Sequence, residues 1–282
     1  MFATTGACRG GALFDNQSAH RAHATPPPRL SGWSDVSQPV HAPNVSFGRY
    51  PIRTAAARID RMTQSSRTTT QNPPQAFPNS DLQERKQLLR RRAYDARNAQ
   101  PDKDAASRRA IATLVALPEY RRAETVMWYV DCRSELRTQP ALPDALASGK
   151  RIVVPYCTVD ERGDNKLGLW LLESMDELVV GKWKILEPPR DRWGAPGKEV
   201  PPQELDSVVV PGVAFGRDGA RMGNGQGYYD RLLNSVPPNC SLVAPCYESQ
   251  LMEEIIMGPH DVYMDKVVTE SAVYEGLRRR GE

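Results

Sequence analysis

Apolar residues fall at helical spacing twice before any strand-like run appears. Leu82, Leu89, Ala93 and Ala96 share one face of a helix opening at Asp81, with Arg and Lys on the other faces and Pro101 beyond its end. Ala106, Ala110, Ile111, Leu114 and Leu117 give a second helix from about Lys103 to Leu117, which stops before Pro118. Short unbroken apolar runs follow: TVMWYV (125–130), RIVVP (151–155), LGLWLL (167–172), SVVVP (207–211), SLVAP (241–245) and KVVT (266–269, the last). Each reads as a buried strand. Helices are expected at 139–149 and 249–257, and the two prolines between Trp183 and Pro189 argue for loop there. Apolar runs alternating with helices predict an α/β fold with a mainly parallel sheet, a single domain over residues 81–276.

Composition changes the picture mainly at the ends. Residues 1–80 lack a sustained apolar period and hold nine of the 24 prolines, so they are expected to be a disordered extension. They are Arg-rich and acid-poor, which also fits an organelle transit peptide; a third reading makes Met62 the true start. A short basic tail closes the chain at 277–282. The first 80 residues carry eight Arg and three Asp with no Lys or Glu, a net of +5. The whole chain is +3, which leaves the remainder at −2 and implies no nucleic-acid partner. No 18-residue apolar run exists to span a membrane. Five cysteines without a CxxC pair indicate free thiols in a reducing compartment. The cytoplasm is expected, or the mitochondrion if the extension is a transit peptide.

The candidate chemistry gathers between Val208 and Leu233, in VVVPGVAFGRDGARMGNGQGYYDRLL. A strand signal meets Pro211-Gly212; Tyr228, Leu232 and Leu233 open a helix; glycines stand between at 216, 219, 223, 225 and 227. Bare backbone N–H groups in such a loop can approach a phosphate. The segment lacks GK[ST] and the dinucleotide spacing, so it is neither common phosphate motif. Arg221 suits bidentate contact with phosphate oxygens, and Asp230 is placed to hold a divalent cation beside them.

The same segment resembles the signature of the 5-formyltetrahydrofolate cyclo-ligase family, VPG-x-AF-x-x-x-G-x-RLG-x-G-x-GYYDR, with Met222 in place of the leucine. The family opens with K-x-x-L-R, matched by Lys86, Leu89 and Arg90; by charge pattern alone this is a solvated basic face. Its E-x-x-T element after a strand ending in Tyr is matched by Tyr129, Glu135 and Thr138, although a loop Glu is ordinarily a solvated carboxylate. Glu187-Pro188 matches an EP dipeptide, and His260, Asp261, Asp265, Thr269 and Glu270 match HD-x-x-x-D-x-x-x-T-E. Asp261 is otherwise a turn residue, and His260 is either a proton carrier or a turn histidine.

The resemblance implies a three-layer Rossmann-like sheet with flanking helices. It also implies ATP- and Mg²⁺-dependent cyclisation of 5-formyltetrahydrofolate to 5,10-methenyltetrahydrofolate, ADP and phosphate through a phosphorylated formyl oxygen. Arg221 and Lys86 are the expected catalytic residues. ATP would be held by Lys86, Arg90, Arg221, Gly223, Asn224, Gly225, Gln226, Gly227 and Tyr228. Folate would meet Tyr129, Glu135, Thr138 and Tyr229, and Mg²⁺ would meet Asp230 and Asp261. The expected partners are these small molecules alone, with the protein a monomer. Two rivals use the same loop: a small-molecule kinase, which would release a phosphorylated product, and a regulatory protein that binds ATP·Mg without turnover. Trp170 and Trp183 are available to stack on a flat ligand, with core packing the safer reading.

Overall fold

The computed structural model describes residues 79–181 and 184–277. The expectations for residues 1–78, for Trp183 and for 278–282 lie outside the described residues. Helices α1 (Asn79–Ala99), α2 (Lys103–Ala116) and α3 (Pro118–Arg122) come first. The second was expected to end at Pro118. It does, but the proline then serves as the first residue of α3, where its missing N–H is no loss.

The apolar runs form the sheet. Strand β1 is Thr125–Met127, followed by α4 (Leu142–Ala147), β2 (Arg151–Val159) and β3 (Asn165–Leu172). A small hairpin, β4 (Val179–Val180) with β5 (Leu186–Glu187), lies where only loop was expected. Next come β6 (Ser207–Val209), β7 (Ala214–Phe215), β8 (Arg221–Met222), α5 (Tyr228–Leu233), β9 (Ser241–Pro245), β10 (Lys266–Val268) and β11 (Val273–Glu275). The seven-stranded order is β11-β10-β9-β6-β1-β2-β3. The four central pairings are parallel and the two outermost antiparallel, as the mainly parallel prediction requires.

Side chains alternate between two covered faces. Val126, Ile152, Val154, Val209, Val243 and Val268 pack toward α2 and α4. Met127, Val153, Val208, Val210, Leu242 and Val267 pack toward α5. This makes three layers. Val208, Val209 and Val210 are fully buried, each stabilising by about 1.5–3 kcal/mol relative to exposure. Trp170 is also fully buried, its indole N–H on Glu177 at 2.8 Å, so it is a core residue and not a stacking platform.

Three expectations are corrected. Strand β2 runs past Pro155 to Val159: β1 pairs with it only as far as Val153, and beyond that a proline faces no second neighbour. The helix expected at 249–257 reduces to one 3-10 turn, Glu248–Gln250. Gln250 donates its side chain to the carbonyls of Gly212 and Val213, and Met252 N–H donates to Phe215, so long-range bonds displace the helical ones. Val268 does not end the sheet, because β11 adds an antiparallel edge strand.

Helix α1 lies apart from the sheet. Its Ala93 and Leu89 pack on the β7–β8 hairpin through Val213, Ala214 and Met222. That contact brings its polar face to the site.

Candidate active site

A cavity opens at the carboxyl ends of β1, β2 and β6, where open parallel sheets hold their ligands. The chain leaves β6 through Pro211-Gly212, makes the β7–β8 hairpin, and only then enters the loop 223–227 and α5. The five glycines therefore divide. Gly216 and Gly219 build the hairpin turn, with the Gly219 N–H on the Gly216 carbonyl at 3.1 Å. Gly223, Gly225 and Gly227 form the cavity wall. Gly225 takes φ +84°, and a Cβ there would stand 3.1 Å from a nitrogen of Arg90, so the position requires glycine twice over. Among the described residues, no turn or loop backbone bond uses the N–H of Gly223, Gly225 or Gly227 as donor. Helix α5 has only six residues, so an anion here would depend on these N–H groups and the nearby cations rather than on a long helix dipole.

The cations arrive from two directions. Arg221, on β8, is buried; it pairs with Asp230 on α5, donates to the Pro211 carbonyl at 3.3 Å, and lies 5.9 Å from the Tyr229 ring centre. Among the described residues its buried Nε has no hydrogen-bond partner. Helix α1 supplies the others along one stripe. Lys86 meets Asp261 at 3.2 Å, Arg90 donates Nε to the Gly223 carbonyl at 3.0 Å, and Tyr94 donates its hydroxyl to Asn224. The basic face that charge pattern alone assigned to solvent is thus partly buried against the loop.

The other wall carries Tyr129, Val130, Cys132 and Glu135, which follow β1. Glu135 Oε2 accepts from Cys132 N–H at 3.0 Å, and Oε1 lies 3.9 Å from Arg97. Burial raises the Glu135 carboxyl pKa, opposed by the Cys132 N–H and Arg97. Burial likewise raises the phenols of Tyr129 and Tyr229 well above the usual range, with Glu135 adding to both, and pushes the Cys132 thiol up to about 12. Thr138 is fully buried: its hydroxyl donates to the Tyr129 carbonyl at 2.7 Å and accepts from Asp131 N–H at 3.1 Å. It braces the loop and does not line the cavity.

Of the expected site residues, Tyr129, Glu135, Arg221, Gly223, Asn224, Gly225, Gln226, Gly227, Tyr228, Tyr229 and Asp230 line one cavity. Glu187 joins them from β5. Lys86, Arg90 and Asp261 do not line the cavity: Arg90 meets the loop at the Gly223 carbonyl, while Asp261 is held by Lys86 and by Gly258 N–H at 2.6 Å. His260 is exposed, its carbonyl taking Asn234 at 3.0 Å. Sequence reasoning missed Tyr156, whose ring lies flat on Gly168 and stacks on Trp193 at 4.3 Å, and the pocket cysteines Cys132 and Cys157. The bare Gly168 in an apolar strand was the one signal for Tyr156.

Magnesium would need hard oxygen donors. Asp230 and Asp261 offer them from adjoining segments, since Asn234 donates to both the Asp230 and His260 carbonyls. Among the described residues no three His, Cys, Asp or Glu side chains gather, so phosphate oxygens and water would complete the shell. The donor set fits the ion on those terms.

A family model described as the 5-formyltetrahydrofolate cyclo-ligase family matches residues 78–270. The chain belongs to that family. Cyclo-ligase relatives include one from Mycolicibacterium smegmatis, 32% identical over 154 residues, covering 55% of this chain and 77% of that protein. Another, from Escherichia coli K12, is 31% identical over 167 residues, covering 59% and 88%. The solved 5,10-methenyltetrahydrofolate synthetase of Aquifex aeolicus is similar with a TM-score of 0.57 and 30% identity, over 70% of this chain and 95% of that one. This cyclo-ligase family member is therefore an enzyme, a ligase. Among its described residues no helix is long and apolar enough to cross a membrane.

Proposed function

We propose that the protein cyclises 5-formyltetrahydrofolate to 5,10-methenyltetrahydrofolate at the cost of ATP. One observation carries the reading: a single cavity joins a buried arginine and a wall of glycine N–H groups that, among the described residues, donate to no turn or loop backbone carbonyl, to a wall bearing the half-buried Glu135 carboxylate. The first suits phosphates, the second a flat ring edge rich in N–H donors.

An amide oxygen leaves poorly, so dehydration requires its phosphorylation. The formyl oxygen attacks the γ-phosphorus of ATP and ADP departs. N10 then bonds to the activated carbon and gives up its proton to the departing phosphate or to water, and the C–O bond breaks to release phosphate. Such transfers depend on positioning and on neutralising spread charge. The N–H groups of Gly223, Gly225 and Gly227, with Arg221, Arg90 and Lys86, orient the phosphates. Asp230 and Asp261 would hold Mg²⁺, which supplies further charge neutralisation on phosphate oxygens. Glu135 accepts hydrogen bonds from the aminopyrimidine edge, between Tyr129 and Tyr229. No side-chain nucleophile is required.

The cytoplasm is the compartment proposed, with the mitochondrion open if residues 1–80 act as a transit peptide. The protein works as a monomer. The test is purified protein with ATP, Mg²⁺ and 5-formyltetrahydrofolate: absorbance of the methenyl product is expected, with one ADP and one phosphate released per turnover. ATP bound without consumption, or a phosphorylated folate that accumulates, would overturn the proposal.

A further inference from the structure

Arg97 belongs to none of the matched motifs, yet it is buried beside the cavity wall. It lies on α1, seven residues after Arg90, on the stripe that faces the site. Its Nε donates to Ser134 Oγ at 3.1 Å, and Nη1 reaches the Gly212 carbonyl at 3.4 Å and Glu135 Oε1 at 3.9 Å. Its guanidinium also lies 5.0 Å from the centre of the Tyr94 ring. Oε2 of Glu135 already accepts Cys132 N–H, and Oε1, the less committed oxygen, is the one that faces Arg97. The other acid of this loop is engaged elsewhere: Asp131 Oδ1 accepts from Thr138 N–H and Gln139 N–H, and Oδ2 lies 3.6 Å from Arg137.

We propose that Arg97 is the positioning residue that fixes Glu135, in orientation and in charge, for the folate; this rests on the function proposed above. The other groups facing Glu135 offer no replacement. Cys132 and Asp131 flank it on its own loop, the Tyr129 and Tyr229 phenols face it from β1 and α5, and Tyr247 donates only to its backbone carbonyl, at 3.2 Å. Arg97 is the sole cation among these named neighbours. Burial already favours the neutral acid, and a neutral Glu135 would present a hydroxyl where two donors of the ring edge need an acceptor.

The test uses the full chain with Arg97→Met and Arg97→Lys. In the free protein, a ¹³C NMR titration of the Glu135 carboxyl, identified by its loss in Glu135→Gln, is expected to move up by about 1–3 pH units in Arg97→Met. Arg97→Lys keeps the charge and should hold the midpoint near wild type while losing the fork to Ser134 and Gly212. A raised midpoint means that the acceptor is lost sooner as pH falls. In Arg97→Met, kcat/KM for 5-formyltetrahydrofolate should therefore drop about tenfold or more at the acid end of the pH profile and recover as pH rises past the shifted midpoint, with KM for ATP unchanged. A loss equal at every pH, or equal for both substrates, would make Arg97 merely structural and overturn the proposal. If Arg97→Met fails to fold, a shifted profile in Arg97→Lys would overturn it instead. A wild type that makes no methenyl product overturns the proposed function and the folate half of this inference, while the NMR titration still decides the hold on Glu135.

Discussion

Two clefts open at opposite ends of the same parallel strands, and they use charge in opposite ways. At the amino ends lie Glu119, Arg122, Glu124, Asp206, Asp265 and Lys266. Asp206 accepts the N–H groups of Glu124 and Thr125, both at 2.9 Å, and Asp265 accepts Leu242 N–H at 2.7 Å. Lys266 pairs with Glu275 and lies 3.7 Å from Glu119. Most of the charge there goes to strand starts that need acceptors and to ion pairs, although among the described residues Glu119 Oε1 is buried without a hydrogen bond. At the carboxyl ends donors are in excess: among the described residues the N–H groups of Gly223, Gly225 and Gly227 meet no turn or loop backbone acceptor, and Arg221 Nε is buried unused. A cleft lined with charge is therefore no guide to a ligand. Several unused donors gathered on one wall are the better guide.

The hardest test of this contrast is Asp230→Asn. Its loss should lower turnover on the order of 100-fold or more, because it removes charge where ATP oxygens and their cation would be held. The cost in stability should be small, about 1–2 kcal/mol, since the side chain is a quarter exposed and Asn still accepts from Arg221. Turnover across Mg²⁺ concentrations beside a melting curve reads both, and a near-normal rate would remove Asp230 from the chemistry. Glu135→Gln comes next. It should weaken 5-formyltetrahydrofolate by roughly 10- to 150-fold and leave ATP·Mg binding intact, the value of one charged hydrogen bond. Calorimetric titration of each ligand decides; parallel weakening of both would assign Glu135 to the scaffold.

The opposite cleft supplies the complementary case. Asp265→Ala orphans the N–H of Leu242, a fully buried residue, and should cost about 1–3 kcal/mol of stability, with Asp265→Asn costing less. Activity at low temperature should stay within about twofold in both. A large loss of rate without a loss of stability would show that the amino-end cleft takes part in function.

Asp265 also marks where reading the sequence stops. It stands four residues after Asp261 in one motif, yet the two carboxylates serve different ends: Asp265 caps β9 and Asp261 meets Lys86. Spacing cannot reveal which backbone N–H will need a cap. The strands were legible because unbroken apolar runs have few other fates in a chain of this size. The glycine loop was legible because its φ angles and close approach to Arg90 leave little choice of residue. The β7–β8 hairpin was not, since strands of two residues carry no periodicity. Arg97 was hidden for a related reason: α1 is polar on most sides, and the groups Arg97 meets, Ser134, Glu135 and the Gly212 carbonyl, lie far along the chain. The helix expected at 249–257 failed the same way, overruled by the bonds Gln250 makes to the turn after β6.

The smallest expected effect tests the comparison at its finest point. Tyr94 donates its hydroxyl to Asn224, in the middle of the glycine loop, from the turn of α1 next to Arg90. Tyr94→Phe keeps the ring, and with it the contact to the Arg97 guanidinium at 5.0 Å, so only one hydroxyl is lost. The bond is exposed, and its net value should fall near the low end of the usual 0.5–1.5 kcal/mol, or about two- to threefold in affinity. If the loop is the phosphate wall, that loss appears in KM for ATP and not in KM for 5-formyltetrahydrofolate. Steady-state kinetics with each substrate varied in turn is sufficient. Equal changes in both would mean that the hydroxyl sets the position of α1 as a whole. No change in either would mean that Asn224 needs no tether, and that the glycine backbone alone holds the wall in shape.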